Sequence, residues 1–320
     1  MNKKVCGQKN ELDENEKIKF QEKLNNKYKI YSQLGITGTR TSAYLMQDET
    51  GTEYVLKIPN EYNDIEWIKS QKNTIEKCHK SLNGYDGDVY IPTALIFDND
   101  FIVESYVGAE LTEDVYNTLP EKEKNKIIND FAYFFYYLHT NNNIGIASSL
   151  QMFNKPTLEE VFDYLQSAFD EKQKLYFNAQ INLFNNRDIS DEITVMTHAD
   201  IRSQNILYDK KQKKLAVIDF ELIKERNIYH DFVPFAAASF RLPYRMLFEI
   251  VDKYNLLAKN KKIVISVDKV KLFHVLGVFH EYGRCAIFRN DKGEQVQNTC
   301  HRILKHMKSI EEVYLYGNFI

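Results

Sequence analysis

Residues Val195 to Glu221 read V-M-T-H-A-D-I-R-S-Q-N-I-L-Y-D-K-K-Q-K-K-L-A-V-I-D-F-E, and the fold follows from how this stretch is read. Two short β-type runs, Ile206 to Tyr208 and Leu215 to Ile218, flank a lysine-rich turn. Folded as an antiparallel hairpin about Gln212, they set Ile206 opposite Ile218 and Asn205 opposite Asp219, with opposed residues about 5 Å apart. An amide oxygen and a carboxylate at that separation both reach one hard cation, such as Mg2+ with its oxygen bonds of about 2.1 Å. Asp200 lies five residues before Asn205, on the loop that enters the hairpin. It stands near the metal without having to bind it. A carboxylate so placed suits the task of orienting a hydroxyl and accepting its proton.

The surroundings of this island are of two kinds. Residues 1–26 are polar and charged, a frayed or helical lead-in. From Tyr28 to Pro59 the chain shows short β-type runs broken by Gly35, Gly38 and Gly51, followed by a helix over Asn60 to Leu82. Strand patterns recur at Tyr90 to Phe97 and Phe101 to Val107. Beyond Gly108 helical periodicity dominates, over 121–140, 157–184, 241–257, 268–288 and 294–315. This is an α+β arrangement in two lobes: a β-rich N-lobe over 27–103, a connecting segment 104–108, and a mostly helical C-lobe over 109–320.

Composition removes several function classes. Lys and Arg number 42 and Asp and Glu 45 in 320 residues, so the formal charge of −3 gives no electrostatic reason to expect nucleic acid or a membrane surface as partner. The longest nearly unbroken apolar run, Phe131 to Leu138, is far short of the ~20 residues of a membrane span. The N-terminus has no apolar segment of the secretory type. The four cysteines are scattered without a C-x-x-C pair, as expected of free thiols in a reducing compartment, the cytoplasm.

The order H-x-D-x-x-x-x-N and then V-I-D-F, with Asp231 twelve residues after Asp219, resembles the aminoglycoside phosphotransferase and choline/ethanolamine kinase branch of the protein-kinase-like fold. The first motif alone arises by chance in a few per cent of chains of this length, at about 5% per residue type. Adding the second at its fixed distance makes coincidence several hundredfold rarer. The resemblance implies a bilobal kinase-like fold and a phosphotransferase using ATP and Mg2+. L-G-I-T-G-T-R-T-S-A-Y, with Gly35 and Gly38, would cover the phosphates, and Lys57 in Y-V-L-K-I would contact them. That lysine calls for an acidic partner on the next helix. At 100° per residue Glu76 falls on the rim of the apolar face, and it is preferred over Glu61 and Glu66. Val103 to Gly108 corresponds to the hinge that binds adenine, with Glu104 and Tyr106 beside it. Asn205 and Asp219 would bind Mg2+, and Glu221 would either join a second metal or cap the following segment. Asp200 would be the catalytic base and Asp231 the anchor of its loop. His198 would brace that loop, and Arg202 would meet the transferred phosphate or remain a solvated arginine.

Only 11 residues separate Asp219 from Asp231, with no A-P-E motif, which leaves little material for a peptide-docking segment. The expected acceptor is therefore a hydroxyl of a small molecule: an amino alcohol, a sugar or an aminoglycoside. Choline-type recognition by an aromatic cage finds poor support in Val278 to Phe288, which offers Tyr282 and Arg284 but no tryptophan. The alternatives are an atypical protein kinase or effector using the same site, and a nucleotide-binding pseudokinase scaffold.

Overall fold

The computed structural model describes residues 12–34, 41–59, 65–142, 144–146, 153, 155–190, 192–232, 243–261 and 263–317. The chain forms two compact units. One takes the residues up to Lys80 together with Tyr90–Gly108, and the other takes Ser81–Val89 and everything from Ala109 onward. The first unit contains α1 (Glu14–Lys23), β1 (Tyr28–Gln33), β2 (Thr41–Asp48), β3 (Glu53–Pro59), α2 (Ile65–Ser81), β4 (Ala94–Phe97) and β5 (Ile102–Ser105). Its five strands form one antiparallel sheet in the order β1-β2-β3-β5-β4. Alternation is clearest on β2, where Ser42, Tyr44 and Met46 are buried and the residues between them are not.

Of the two readings of the lead-in, frayed or helical, residues 12–26 take the helical one. Asp13 caps α1 in a reciprocal arrangement with Glu16. Leu12, Phe20 and Leu24 enter the sheet's core, and the Phe20 ring meets Phe101 edge-on at 5.9 Å. Phe20 on the polar helix, with Leu12 and Leu24 at its two ends, is enough to seat it on the sheet.

The second unit contains β6 (Ala109–Glu110), α3 (Glu113–Thr118), α4 (Glu121–Thr140), β7 (Gly145–Ile146), α5 (Leu158–Leu165), α6 (Glu171–Asn185), β8 (Ile193–Thr197), β9 (Ile206–Asp209), β10 (Lys214–Val217), β11 (Lys224–Asn227), α7 (Tyr244–Ala258), α8 (Val267–Arg289) and α9 (Glu294–Gly317). The stripe read as core on α4 is core: Ile127, Ile128, Phe131, Phe134, Phe135 and Leu138 are all buried. The single helix expected over 157–184 is two, because Asp170 starts a new one by capping Gln173 while Gln173 returns the bond. Helix α8 packs on α5 through Gly283, where a β-carbon would come within 2.2 Å of Val161 Cγ1. Glycine thus permits the approach that seats α8. None of the described helices is long and apolar enough to cross a membrane.

The central hairpin forms, but one residue out of the expected register. Ile206 pairs with Val217 and Asp209 with Lys214, so the ladder sets Asn205 against Ile218, whose N–H donates to the Asn205 carbonyl at 2.9 Å. The cause is local. Asp209 Oδ1 accepts the N–H groups of Lys211 and Gln212 at 2.8 and 3.0 Å, and Lys213 turns through φ 55°. That side-chain turn closes a four-residue loop in place of a symmetric bend about Gln212.

Candidate active site

Asp200, Arg202, Asn205 and Asp219 all belong to the second unit, on the loops around the β9–β10 hairpin. Asp200 Oδ2 accepts from Asn205 Nδ2 at 3.0 Å, from Arg202 Nη2 at 2.6 Å and from Arg202 Nε at 3.1 Å. Asn205 Nδ2 also donates to the Asp200 carbonyl at 2.8 Å. Both partners of that nitrogen can only accept, which fixes the amide orientation and leaves Asn205 Oδ1 as the oxygen available to a cation. Asp219 is not opposite Asn205 in the ladder. It stands one residue further on, in left-handed backbone (φ 65°, ψ 64°) that takes its side chain out of the strand alternation. Its negative charge nonetheless reaches Arg202. Burial works against the charge of that guanidinium, but the hydrogen bond and charge of Asp200, with Asp219 and Glu281, outweigh it and hold its pKa above the ordinary value.

The loop carrying Asp200 is held from behind. Asp231 is fully buried; its Oδ2 accepts the His198 N–H at 3.1 Å and its Oδ1 the Ala199 N–H at 2.6 Å. A carboxylate can only accept, so His139 presents its Nε2–H to Oδ2, at 2.9 Å, while its Nδ1 lies 3.1 Å from the Tyr254 hydroxyl. Ala199 has φ 62°, a left-handed conformation that costs a non-glycine residue about 1 kcal/mol. Such a residue persists where its surroundings over-determine it, and here Asp231 grips its N–H directly. His198 Nδ1 accepts the Asp200 N–H at 3.3 Å, so Nε2 carries the proton and donates to the Ile218 carbonyl at 3.0 Å. The ring therefore ties the Asp200 loop to the strand end that delivers Asp219. It also packs at 4.5 Å against Phe220, the residue after Asp219.

Burial holds His198 on the neutral side, against the opposing charge of Asp231. Burial also pushes His230 and His274 down to about 4. An unfolded chain protonates these rings near pH 6.5. Their contribution to stability is thus complete above that value and is lost as pH falls towards 4, by about 1.4 kcal/mol per pH unit for each ring. Urea midpoints are expected to be clearly lower at pH 5 than at pH 7; equal midpoints would contradict this assignment.

The residues singled out for the nucleotide belong to the first unit. Gly35, Gly38 and Glu61 lie outside the described residues. Lys57 on β3 is ion-paired with Glu104 on β5, Nζ to Oε2 at 2.8 Å. The expectation that Glu76 pairs with Lys57 is corrected: Glu76 is exposed and makes no ion pair among the described residues. The buried face of α2 runs through Trp67, Ile68, Gln71 and Cys78, and its mid-face polar residue is the uncharged Gln71. The buried face is narrower than the apolar one read from sequence, and Glu76 falls outside it. The Tyr106 N–H donates to the Glu53 carbonyl at 3.3 Å and is not held open for a base. Glu221 is exposed on the short turn after Asp219.

Sequence reasoning passed over His139, because a histidine four residues after Phe135 in an apolar stripe reads as core. The available signal was a ring with two polar atoms on a fully apolar face, which must find partners there. Glu281, within the stretch quoted for the acceptor, was also not singled out. Helix α8 brings its charge to bear on Arg202, and Arg284 Nη2 donates to it at 3.0 Å.

The family model described as "Phosphotransferase enzyme family" matches residues 34–250. Among solved structures, the fold is similar to that in the streptomycin–ATP ternary complex of APH(2'')-IIa, at 19% identity and TM-score 0.54 over 92% of this chain and 96% of that one. It is also similar to the GDP complex of wild-type aminoglycoside 2'-phosphotransferase-IIIa, at 15% identity and TM-score 0.60 over 91% and 98%. A third similar structure is macrolide 2'-phosphotransferase type I, at 10% identity and TM-score 0.55 over 92% and 98%. At these identities the likeness is one of fold, and it bears out the two-lobed kinase-like class. No curated protein sequence matches the chain.

Proposed function

Because the chain belongs to the phosphotransferase enzyme family, we propose that it moves the terminal phosphoryl group of a nucleoside triphosphate to a hydroxyl of a small molecule, with Asp200 as the residue that receives the acceptor. One observation carries this reading: Asp200 gathers its side-chain hydrogen bonds on Oδ2 and keeps Oδ1 without a partner among the described residues. The carboxylate is thereby fixed in orientation, with one oxygen left to accept the proton of an incoming hydroxyl. Two arginine hydrogen bonds hold its orientation, as a positioning group requires. That suits a loose phosphoryl-transfer transition state, in which alignment and charge stabilisation matter more than early proton removal. Arg202, read from sequence as either a contact to the transferred phosphate or a solvated arginine, would also brace Asp200 through its two hydrogen bonds.

Asn205 through Oδ1 and Asp219 through its carboxylate are hard oxygen donors of the kind Mg2+ takes, and Glu221 is a further candidate at the rim. Held by these residues, such an ion would supply positive charge to offset that of the phosphates. Lys57, with the Gly35 and Gly38 loop, would hold the phosphates of the nucleotide, and the backbone of 104–108 would meet its base. The acceptor side lies along α8. Tyr282, the one aromatic candidate for an ammonium cage there, already has the Arg302 guanidinium 5.4 Å from its ring and His306 packed at 5.6 Å. A quaternary amine would have to displace a protein cation. This favours sugar-like antibiotic alcohols, of the kind held by the similar solved proteins, over choline.

A protein acceptor is less well served. The 11 residues between Asp219 and Asp231 are taken up by a short turn, β11 and a second turn, and β11 is paired along its length with β8. Incubation of the purified protein with terminally labelled Mg-ATP or Mg-GTP tests the proposal, against aminoglycosides, macrolides, choline and simple sugars. Label is expected in a small-molecule fraction. Label confined to added cell proteins, or none transferred at all, would overturn it.

A further inference from the structure

The ion pair of Lys57 departs from the expected pattern in a way that sheet register explains. Strands β3 and β5 are antiparallel, with Val55 opposite Glu104 and Lys57 opposite Ile102. Residues two apart on a strand share a face, so Lys57 and Glu104 stand diagonally across one face of the ladder, within reach of long side chains. The ammonium and the carboxylate meet at 2.8 Å with side-chain exposures of only 21% and 9%. This is not a solvated surface pair. A charge withdrawn to that degree is tolerated only beside its opposite. Helix α2 supplies no substitute among its described carboxylates: Glu66 is exposed and paired with Lys69, and Glu76 is exposed.

We infer that Glu104 is the positioning residue for Lys57, so that a carboxylate on the neighbouring strand orients the nucleotide-binding lysine. The inference rests on the reading of Lys57 as a phosphate-binding lysine. Its mechanical consequence is specific. Ladder hydrogen bonds fix the Cα positions of both partners, so the lysine keeps its setting when α2 shifts.

The test uses the full-length protein and Mg-ATP and Mg-GTP as probes, with affinity measured by titration calorimetry and folding by circular dichroism. A hydrogen bond between charged groups contributes roughly 1.5–3 kcal/mol, so Glu104→Gln is expected to weaken binding of the preferred nucleotide about tenfold or more at a near-native melting temperature. Lys57→Met is expected to do the same, and the double variant to bind no more weakly than Lys57→Met alone. Should Glu104→Gln fail to fold, Glu104→Asp carries the same cycle, keeping the charge and shortening its reach. Wild-type affinity in the Glu104 variant, or losses that simply add in the double variant, would overturn the inference. Wild-type affinity in Lys57→Met would instead overturn the reading of Lys57 on which it rests.

Discussion

Replacing Asp200 by asparagine is expected to lower turnover by about 10²–10⁴-fold, the range typical of a positioned acid–base group, while nucleotide affinity stays near wild type. The amide retains one oxygen to accept from Arg202 and Asn205, so the loop keeps its hydrogen bonds, but the position facing the acceptor loses its negative charge. The measurement is a pair: initial rates of label transfer to the acceptor found in the screen, and calorimetric binding of Mg-nucleotide. A turnover number within a few-fold of wild type would remove Asp200 from the chemistry. A parallel loss of nucleotide binding would mean that the substitution had collapsed the loop and not its charge.

The second large effect is expected on stability. Asp231→Ala strips the partners from the His198 and Ala199 N–H groups and from His139 Nε2, all at buried positions. Breaking a buried hydrogen-bonded charge costs about 3–5 kcal/mol, a large part of the stability of a typical domain. Chemical denaturation is expected to show that loss, with Asp231→Asn intermediate because one acceptor oxygen remains. Activity should fall with both, since Ala199 is held in its left-handed conformation one residue before Asp200. If Asp231→Ala unfolds at the wild-type denaturant midpoint, the loop is anchored by other contacts, and Asp231 is not what holds it.

The two predictions separate what holds the site from what acts in it, and the separation was partly visible in the chain. The spacing of His198, Asp200, Asn205, Asp219 and Asp231 is linear information. Five residues from Asp200 to Asn205 and twelve from Asp219 to Asp231 bound where a loop and a hairpin can bring them, and the kinase-like fold class followed from that order. His139 and Tyr254 were not legible. His139 reaches Asp231 from a helix 92 residues before it, and Tyr254, 23 residues after Asp231, meets the other nitrogen of that ring; nothing local in an apolar stripe says which polar atom it will meet.

Local periodicity misled where two readings differed by a small angle or a single residue. The buried face of α2 is narrower than the apolar face read from sequence, and Glu76 at its rim lies on the solvent side. The hairpin register slipped by one because Asp209 binds the two N–H groups that follow it, a turn chemistry written in the sequence but read as an ordinary lysine-rich tip. In a two-residue period such a slip exchanges faces. Here the left-handed backbone at Asp219 turns the chain out of the ladder, and its charge still reaches Arg202.

The chain by itself determined the class of fold, the order of the motifs, the apolar core of α4, and which side chains are chemically able to act. Those properties depend on residue type and on separations of a few residues, where covalent geometry and periodicity are sufficient. Only the tertiary structure decided that Glu104 stands beside Lys57 and that His139 reaches Asp231 behind the loop of Asp200. Each of these is a contact between elements distant in sequence, set by strand register and helix packing, and several carboxylates of equal chemistry compete for each place until the fold selects one.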